Sequence, residues 1–497
     1  MMLLMSRVAL ALLAVILTAG TPADPPEGEP KPGPNETPAA ADIPAEPADA
    51  AAIPDEDEPA TEQPAAKQPP ADELPVDGEA DAEEEEEDRS AMSAGTFSAL
   101  RFRGIGPALT GGRVGDFAVD PRNPARYFVA VASGGVWRTT NNGTTYEPIF
   151  DGQGSFSIGC VTLDPNNPNV VWVGTGENNS QRSVCFGDGV YKSTDGGASW
   201  KNVGLKDSEH IGMIAVDPRD SDVVYVAAQG PLWNSGGERG LYKTIDGGQT
   251  WTRILHVDDD TGVNEIHFDP RNPDILYASS YQRRRHVWTL IDGGPGSALY
   301  KSTDEGETWR KITRGIPGGD KGRIGLDISP VNPDVIYAII MAAEGRGGFF
   351  RSTDRGESWQ KRNSYMTTSP QYYNEIVCDP NDVDCVYVLD TILHRTEDGG
   401  RTFDRVPRNH RHVDDHALWI DPDDSDHLLV GCDGGIYDSF DRGRNWHFKD
   451  NLPVAQFYRV TADNSTPFYY VYGGTQDNNS LGAPSRTLNP SGITNED

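Results

Sequence analysis

Residues 189–200 read GVYKSTDGGASW. The core of that phrase recurs as TTNNGTTY (139–146), STDGGASW (193–200), TIDGGQTW (244–251), STDEGETW (302–309), STDRGESW (352–359), TEDGGRTF (396–403) and SFDRGRNW (439–446), at spacings of 43 to 58 residues. A period in that range belongs to a propeller or a solenoid. The hydroxyl and the carboxylate can accept bonds from turn amides. The glycine two places after the acid supplies the positive φ of a tight hairpin. The closing aromatic ring is large enough to pack between neighbouring units. Seven equal catalytic sites on one rim serve no single substrate. The first copy also has Asn141 for the acid and Tyr146 for the Trp, which a turn tolerates and a catalytic motif does not. The phrase is therefore read as structure.

A second phrase interleaves with the first, as in LDPNNPNVVWVGT (163–175) and VDPRDSDVVYVAA (216–228). Short β-branched and aromatic runs bounded by Gly, Pro, Asn and Asp are strands. In the second unit, SIGCVTLD, VVWVGT, GVYKST and a strand beginning at Ser199 make four. Four strands per repeat make a propeller blade. The expected fold is all-β, a propeller of seven blades over 96–456, with eight blades as the alternative. SALRFRGIG (98–106) resembles a strand without a blade, and 457–497 the start of an eighth blade or of a second propeller in a longer chain.

The ends of the chain read differently. MMLLMSRVALALLAVILTAG (1–20) has one basic residue, Arg7, an apolar run from Val8 to Leu17 and small residues after it. That is the pattern of a signal peptide, too short to span a bilayer, so a secreted or periplasmic protein without a membrane span is expected. Residues 21–95 are Pro, Ala, Glu and Asp with almost no aromatic side chains, a composition expected to stay disordered. The 23 acidic and 4 basic residues before Ser90 carry −19 of the net −33. Such a charge argues against nucleic acid as a partner. Among five cysteines, Cys378 and Cys385 flank a short turn and are the candidate disulfide, with Cys160, Cys185 and Cys432 unassigned.

The repeated phrase is the Asp box, or BNR repeat. On its seven copies the chain resembles the sialidase superfamily of Asp-box propellers, nearest to the xyloglucanase-like and sortilin N-terminal groups and to secreted bacterial proteins of the glycosyl-hydrolase type. The resemblance implies a propeller that binds a glycan, with glycoside hydrolysis or its loss both open, or a sortilin-like peptide- or protein-binding module or scaffold. One departure is specific. Xyloglucanase-like enzymes carry a catalytic Asp just before a GG-x-[YW]-R segment, and here VAVASGGVWR (129–138) has Ala132 and Ser133 there.

Chemistry is expected on the rim opposite the boxes, where the connections entering each blade and those joining its middle strands gather. Long loops at 176–189, 229–240 and 280–297 face short ones at 341–348 and 389–393, which walls one side of that face. Candidate ligand contacts are Arg113, Glu177, His210, Trp233, Arg283, Arg284, Arg285, Trp288, Arg323 and His416. The three successive arginines are expected to hold an anionic or planar ligand, or to pair with Glu177 or Glu265. Glu265, Glu375, Asp415 and Asp477 are the candidate acid and base of a hydrolase, which needs two carboxylates about 5 to 10 Å apart. HRHVDDHALW (410–419) places three histidines around two acids, but its spacing matches no metal motif. No cofactor or metal is expected, and the expected partner is a polysaccharide or an extended peptide.

Overall fold

The computed structural model describes residues 111–488 and Ile493. The expected signal peptide (1–20), the acidic segment 21–95 and the 98–106 segment lie outside the described residues, as does most of the chain beyond 488.

Each Asp box closes a hairpin in the way its residues require. The Ser or Thr hydroxyl accepts the amide four residues on, at 2.8–3.0 Å in all seven copies. The acid's Oδ1 accepts a second amide four residues beyond itself, as from Ser199 to Asp195 at 2.9 Å. Asn141 does the same with its amide oxygen, accepting Thr145 N at 3.0 Å, which explains why the first box works without an acid. The glycine lies at φ between 75 and 93° in every copy. The residue before it is left-handed too, even where it is Asn142, Glu305, Arg355 or Arg442. The closing ring reaches the preceding blade: Trp200, Trp251 and Trp446 donate from Nε1 to the carbonyls of Ile149, Val203 and Pro407 at 2.7–2.8 Å.

Seven sheets follow, each an up-and-down meander. The inner strands are Val114–Val119, Ile158–Leu163, Ile211–Val216, Thr261–Asp269, Lys321–Ile328, Ile376–Cys378 and Asp415–Asp421. The second strands, such as Tyr127–Val131 and Val224–Ala228, are buried at every position. Alternate residues of a strand face opposite ways, so each blade packs on two neighbours. Tyr277 points to the fifth blade and Leu276 to the third. Seven apolar clusters result among the described residues, one at each junction. The last joins Val114, Val129 and Val131 of the first blade to Leu429 and Ile436 of the seventh. Asn451 seals the same junction by donating to Gly143 O and Thr144 O of the first box, both at 2.9 Å. The ring closes on seven blades.

Three details differ from expectation. The 280–297 segment is largely not a loop: the second strand of the fourth blade runs on through Asn272–His286 and turns back as Thr289–Asp292. Its two-residue period turns Arg283 and Arg285 inward and leaves Arg284 half-buried. The sheet of Phe457–Ala462, Tyr470–Thr475 and Ser480–Pro484 has three strands and stands outside the ring, tied on by Asn478 Nδ2 to Gly111 O at 2.7 Å. Cys378 and Cys385 do not form a disulfide; both are free thiols. Cys378 stands opposite Val386 in the ladder, so Cys385, one residue away, points to the other face. One thiol lies in the cluster between blades five and six, the other between six and seven.

Ser352 is buried in its box and accepts Gly356 N at 2.8 Å while donating to Asp354. Ser352→Ala leaves that amide without a partner and should cost about 1–3 kcal/mol of unfolding free energy, read from the urea midpoint.

Candidate functional site

The site begins with a repeated irregularity. In six of the seven blades the inner strand bulges at its loop-side end, for example between Val114 and Asp116, Val263 and Glu265, and Asp415 and Ala417. A bulge re-aims the side chains around it. Here it sets polar residues at the mouth of the central channel, on strands that are otherwise apolar.

The segment GENNS (176–180) leaves the second blade and crosses that mouth. Glu177 is buried and accepts Arg113 Nη1 of the first blade at 2.9 Å, Asn179 Nδ2 at 3.1 Å and Ser133 Oγ at 3.3 Å. His210 of the third blade bonds Glu177 O at 3.0 Å. Asn178 donates to Gly212 O at 3.2 Å and to Glu375 of the sixth blade at 3.0 Å, and accepts from Gln229 and from Arg323 of the fifth. Arg283 of the fourth blade holds Asn179 O at 2.8 Å, and Arg285 holds Ser180 O at 2.8 Å. Ser180 N donates to Gln371 O at 3.0 Å. A segment fixed to five other blades lies over the axis and closes the channel on this side. It leaves a pocket of about 30 Å³ lined by Arg113, Glu177, Tyr372, Tyr373, Glu375 and His416, room for one or two waters.

Arg113 also grips Asp433 of the seventh blade with two bonds, 2.7 and 3.1 Å. Burial alone would raise the Asp433 carboxyl; the bond from His416 and the Arg113 charge override it and hold the group below the usual carboxylate range. Tyr372 and Gln476 complete its acceptor sites, at 3.1 and 3.2 Å.

The candidate residues thus separate. Arg113, Glu177, His210, Arg283, Arg285, Arg323 and Glu375 converge on the crossing segment. Arg283 and Arg285 bind its carbonyls and not Glu177 or Glu265, because Glu177 is already held by Arg113. Arg284 turns outward to Asp260 at 3.5 Å. Asp415 has no exposed surface and gives both oxygens to Arg411. Glu265 lies in the channel wall, bonded by Asn264 at 3.2 Å and Leu326 N at 2.7 Å. Asp477 is exposed on the three-stranded sheet. With Asp414 and Asp433 it brings ligand atoms within 4.8 Å, but a cation there competes with Arg113 for Asp433. Of the clustered histidines, His412 turns to the carbonyls of Val413 and Asp477. Trp288 and Trp233 stand in solvent on the loop face, Trp288 stacked on His286 at 5.2 Å.

Below the crossing segment the channel encloses about 580 Å³ and opens at the Asp-box rim, where the exposed turn prolines Pro121 and Pro165 line it. Its walls hold Asp116, His267 and Asp327, which sequence reasoning passed over. Their signal was a charged residue inside an apolar inner strand, as in VGDFAV and KGRIGLDI. Burial pushes Asp116 up to about 7 against the amides of Val161 and Phe117. Burial likewise pushes Glu375 up to about 7, with Arg323 opposing and the Glu265 and Asp116 charges adding.

Comparisons with known proteins agree on the fold. The Sortilin-Vps10 family model (sortilin, neurotensin receptor 3) matches residues 188–320. Xyloglucanase Xgh74A of Acetivibrio thermocellus is 27% identical over 242 residues, 42% of this chain and 26% of that protein. A xyloglucanase of Paenibacillus sp is 26% identical over 234 residues, 42% of this chain and 21% of that protein. The chain therefore spans about a quarter of the length of these relatives. Among solved structures, the GH74 xyloglucanase from Xanthomonas campestris superposes with a TM-score of 0.56 at 17% identity, over 75% of this chain and 59% of that one. The Niastella koreensis GH74 enzyme gives 0.55 at 18%, over 78% and 61%. The fold is that of a propeller of this kind. Among the described residues no helix is long and apolar enough to cross a membrane.

Arg113 joins three blades through buried carboxylates. Arg113→Met strands Glu177 without a counter-charge and leaves Asp433 to His416 alone, and should cost about 3–5 kcal/mol in chemical denaturation. Arg284→Ala breaks a half-exposed pair and should cost less than about 1 kcal/mol in the same assay.

Proposed function

We propose that this is an exported glycan-binding propeller whose loop face, over blades two to four, holds an extended polysaccharide. One observation carries the reading. Phe156, Phe186, Trp233 and Trp288 are 60, 71, 41 and 82% exposed, and all four sit on loop-face connections of blades two, three and four. Large aromatic rings left in water, on the walled side of an asymmetric face, offer flat apolar surfaces to sugar rings. The similarity to xyloglucanases supports a glycan as the ligand class.

Binding stands ahead of hydrolysis in this reading. A hydrolase needs a protonated and an ionised carboxylate facing one bond. Glu375 has the raised pKa of an acid, but it lies under the crossing segment and is ion-paired to Arg323. Asp415 is locked to Arg411. The family-model match over 188–320 includes the connections at 229–240 and 280–297 and supports an extended peptide as the second reading.

Trp288→Ala and Trp233→Ala should each weaken polysaccharide binding roughly 2- to 10-fold, the worth of about one stacked ring, without changing thermal stability. Affinity electrophoresis in gels cast with xyloglucan, other β-glucans and bacterial polysaccharides reads this directly. Unretarded migration in every glycan, with capture of peptides from a random library, would replace the glycan reading by the peptide one.

A further inference from the structure

We propose that the central channel is a binding site for a linear polyamine, which enters from the Asp-box rim and lies along the axis beneath the crossing segment. The channel is closed at the loop face and open at the other, and its volume of about 580 Å³ suits a slender organic molecule. Four blades present a carboxylate to it: Asp116 from the first, Glu265 from the fourth, Asp327 from the fifth and Glu375, just ahead of the inner strand, from the sixth. The cations facing them are few. Arg323 is spent on Glu375. His267 stands between Glu265, at 3.4 Å, and Asp327, at 3.8 Å. Phe117, Leu163, Ile214, Val377 and Leu418 give the wall apolar surface, alongside Thr162, Asn178 and His416.

The carboxylates are held in place before any ligand arrives. Asp116 accepts Phe117 N at 2.8 Å and Val161 N at 2.9 Å; Asp327 accepts Ile328 N at 2.8 Å and Cys378 N at 2.7 Å. Glu265 accepts Leu326 N at 2.7 Å. Each amide takes one lone pair of an oxygen and leaves others toward the channel. Glu375 receives Asn178 and Arg323 on Oε1, which leaves Oε2 to a ligand.

Spacing selects the class of cation. Among the described residues, the one group of three acids with ligand atoms within 4.8 Å of one another is Asp414, Asp433 and Asp477, outside this channel. No three of the channel acids bring their oxygens together as those do. Ammonium groups separated by methylenes meet separate carboxylates, while the methylenes lie on the apolar wall.

The charge state of the walls sets the pH response. Asp116 and Glu375 ionise near pH 7, with burial as the leading cause. Burial would lower His267, but Glu265 and Asp327 raise it above the ordinary value, so it loses its charge as pH rises. Burial raises Asp327 and the Cys160 thiol. Asp415 stays paired with Arg411, and His416 stays at Asp433. From pH 6 to pH 8 the walls therefore become more negative, and affinity for a polyamine rises.

The test is isothermal titration of the full chain with spermidine at about 0.15 M salt, where exposed charges are screened beyond about 8 Å. Binding at pH 8 should exceed that at pH 6. Glu375→Gln should weaken it roughly tenfold. The deciding variant is Gly115→Leu, which removes no charge. Gly115 lines the channel, and a Cβ there meets only Ala130 O at 4.0 Å, so a side chain can start from this position without a backbone clash and narrow the channel beside Asp116. Loss of spermidine binding in Gly115→Leu at unchanged melting temperature supports the proposal even if Glu375→Gln misfolds. Equal binding by wild type and Gly115→Leu would place spermidine on the acidic N-terminal segment or the surface, and overturn it. So would tighter binding at pH 6, or Mg²⁺ displacing spermidine at equal charge concentration.

Discussion

A sheet with two apolar faces needs a neighbour on each side, and that need governs this molecule. The second strand of each blade is apolar at successive positions, so neither face can be left in water. A row of such sheets has two bare ends. Bringing the first against the last removes both, and the valines of the first blade meet Leu429 and Ile436 of the seventh for that reason. Closure then fixes the inner strands around an axis and creates the channel. The sheet at 457–484 shows the contrast. It lies outside the ring, and Tyr458, Val460, Tyr469 and Tyr472 remain exposed on it.

Closure by apolar packing does not fix how the polar inner edges meet. Arg113 does much of that work on the loop side. It bonds Asp433 across the closing junction and Glu177 on the crossing segment, and its guanidinium lies 4.9 Å from the Tyr372 ring. The crossing segment has little secondary structure of its own, and its position comes from side chains of other blades. The arginines of the fourth blade serve the same end. Arg283 and Arg285 bring their charge to backbone carbonyls of the crossing segment, not to a ligand.

The sequence showed the fold because the Asp box is local. The hydroxyl and carboxylate bonds that shape its turn join residues at most four apart, so the phrase carries its own geometry, and seven copies at blade spacing imply the rest. The loop face was less legible because its bonds join distant residues: Arg113 to Asp433, Asn178 to Glu375, Arg283 to Asn179. Residue type located these side chains near the mouth, but not their partners. The 280–297 arm was misread as a loop because three arginines hide a two-residue period. The disulfide expectation failed on the same period, since Cys378 pairs across the turn with Val386, and Cys385, one place earlier, faces the other way. Asp116 and Asp327 escaped notice because each is the one acid in its inner strand, where only the bulge and the neighbouring amides reveal its place.

The crossing segment gives the channel one mouth. A through-pore lets a chain slide past, so length is no bar and traffic runs in one direction. A blind tube makes every visitor leave by the way it came. Its depth then acts as a ruler, admitting short solutes whole and longer ones only by an end. Exchange becomes sensitive to whatever covers the Asp-box rim, a surface whose turns are otherwise occupied with holding themselves together.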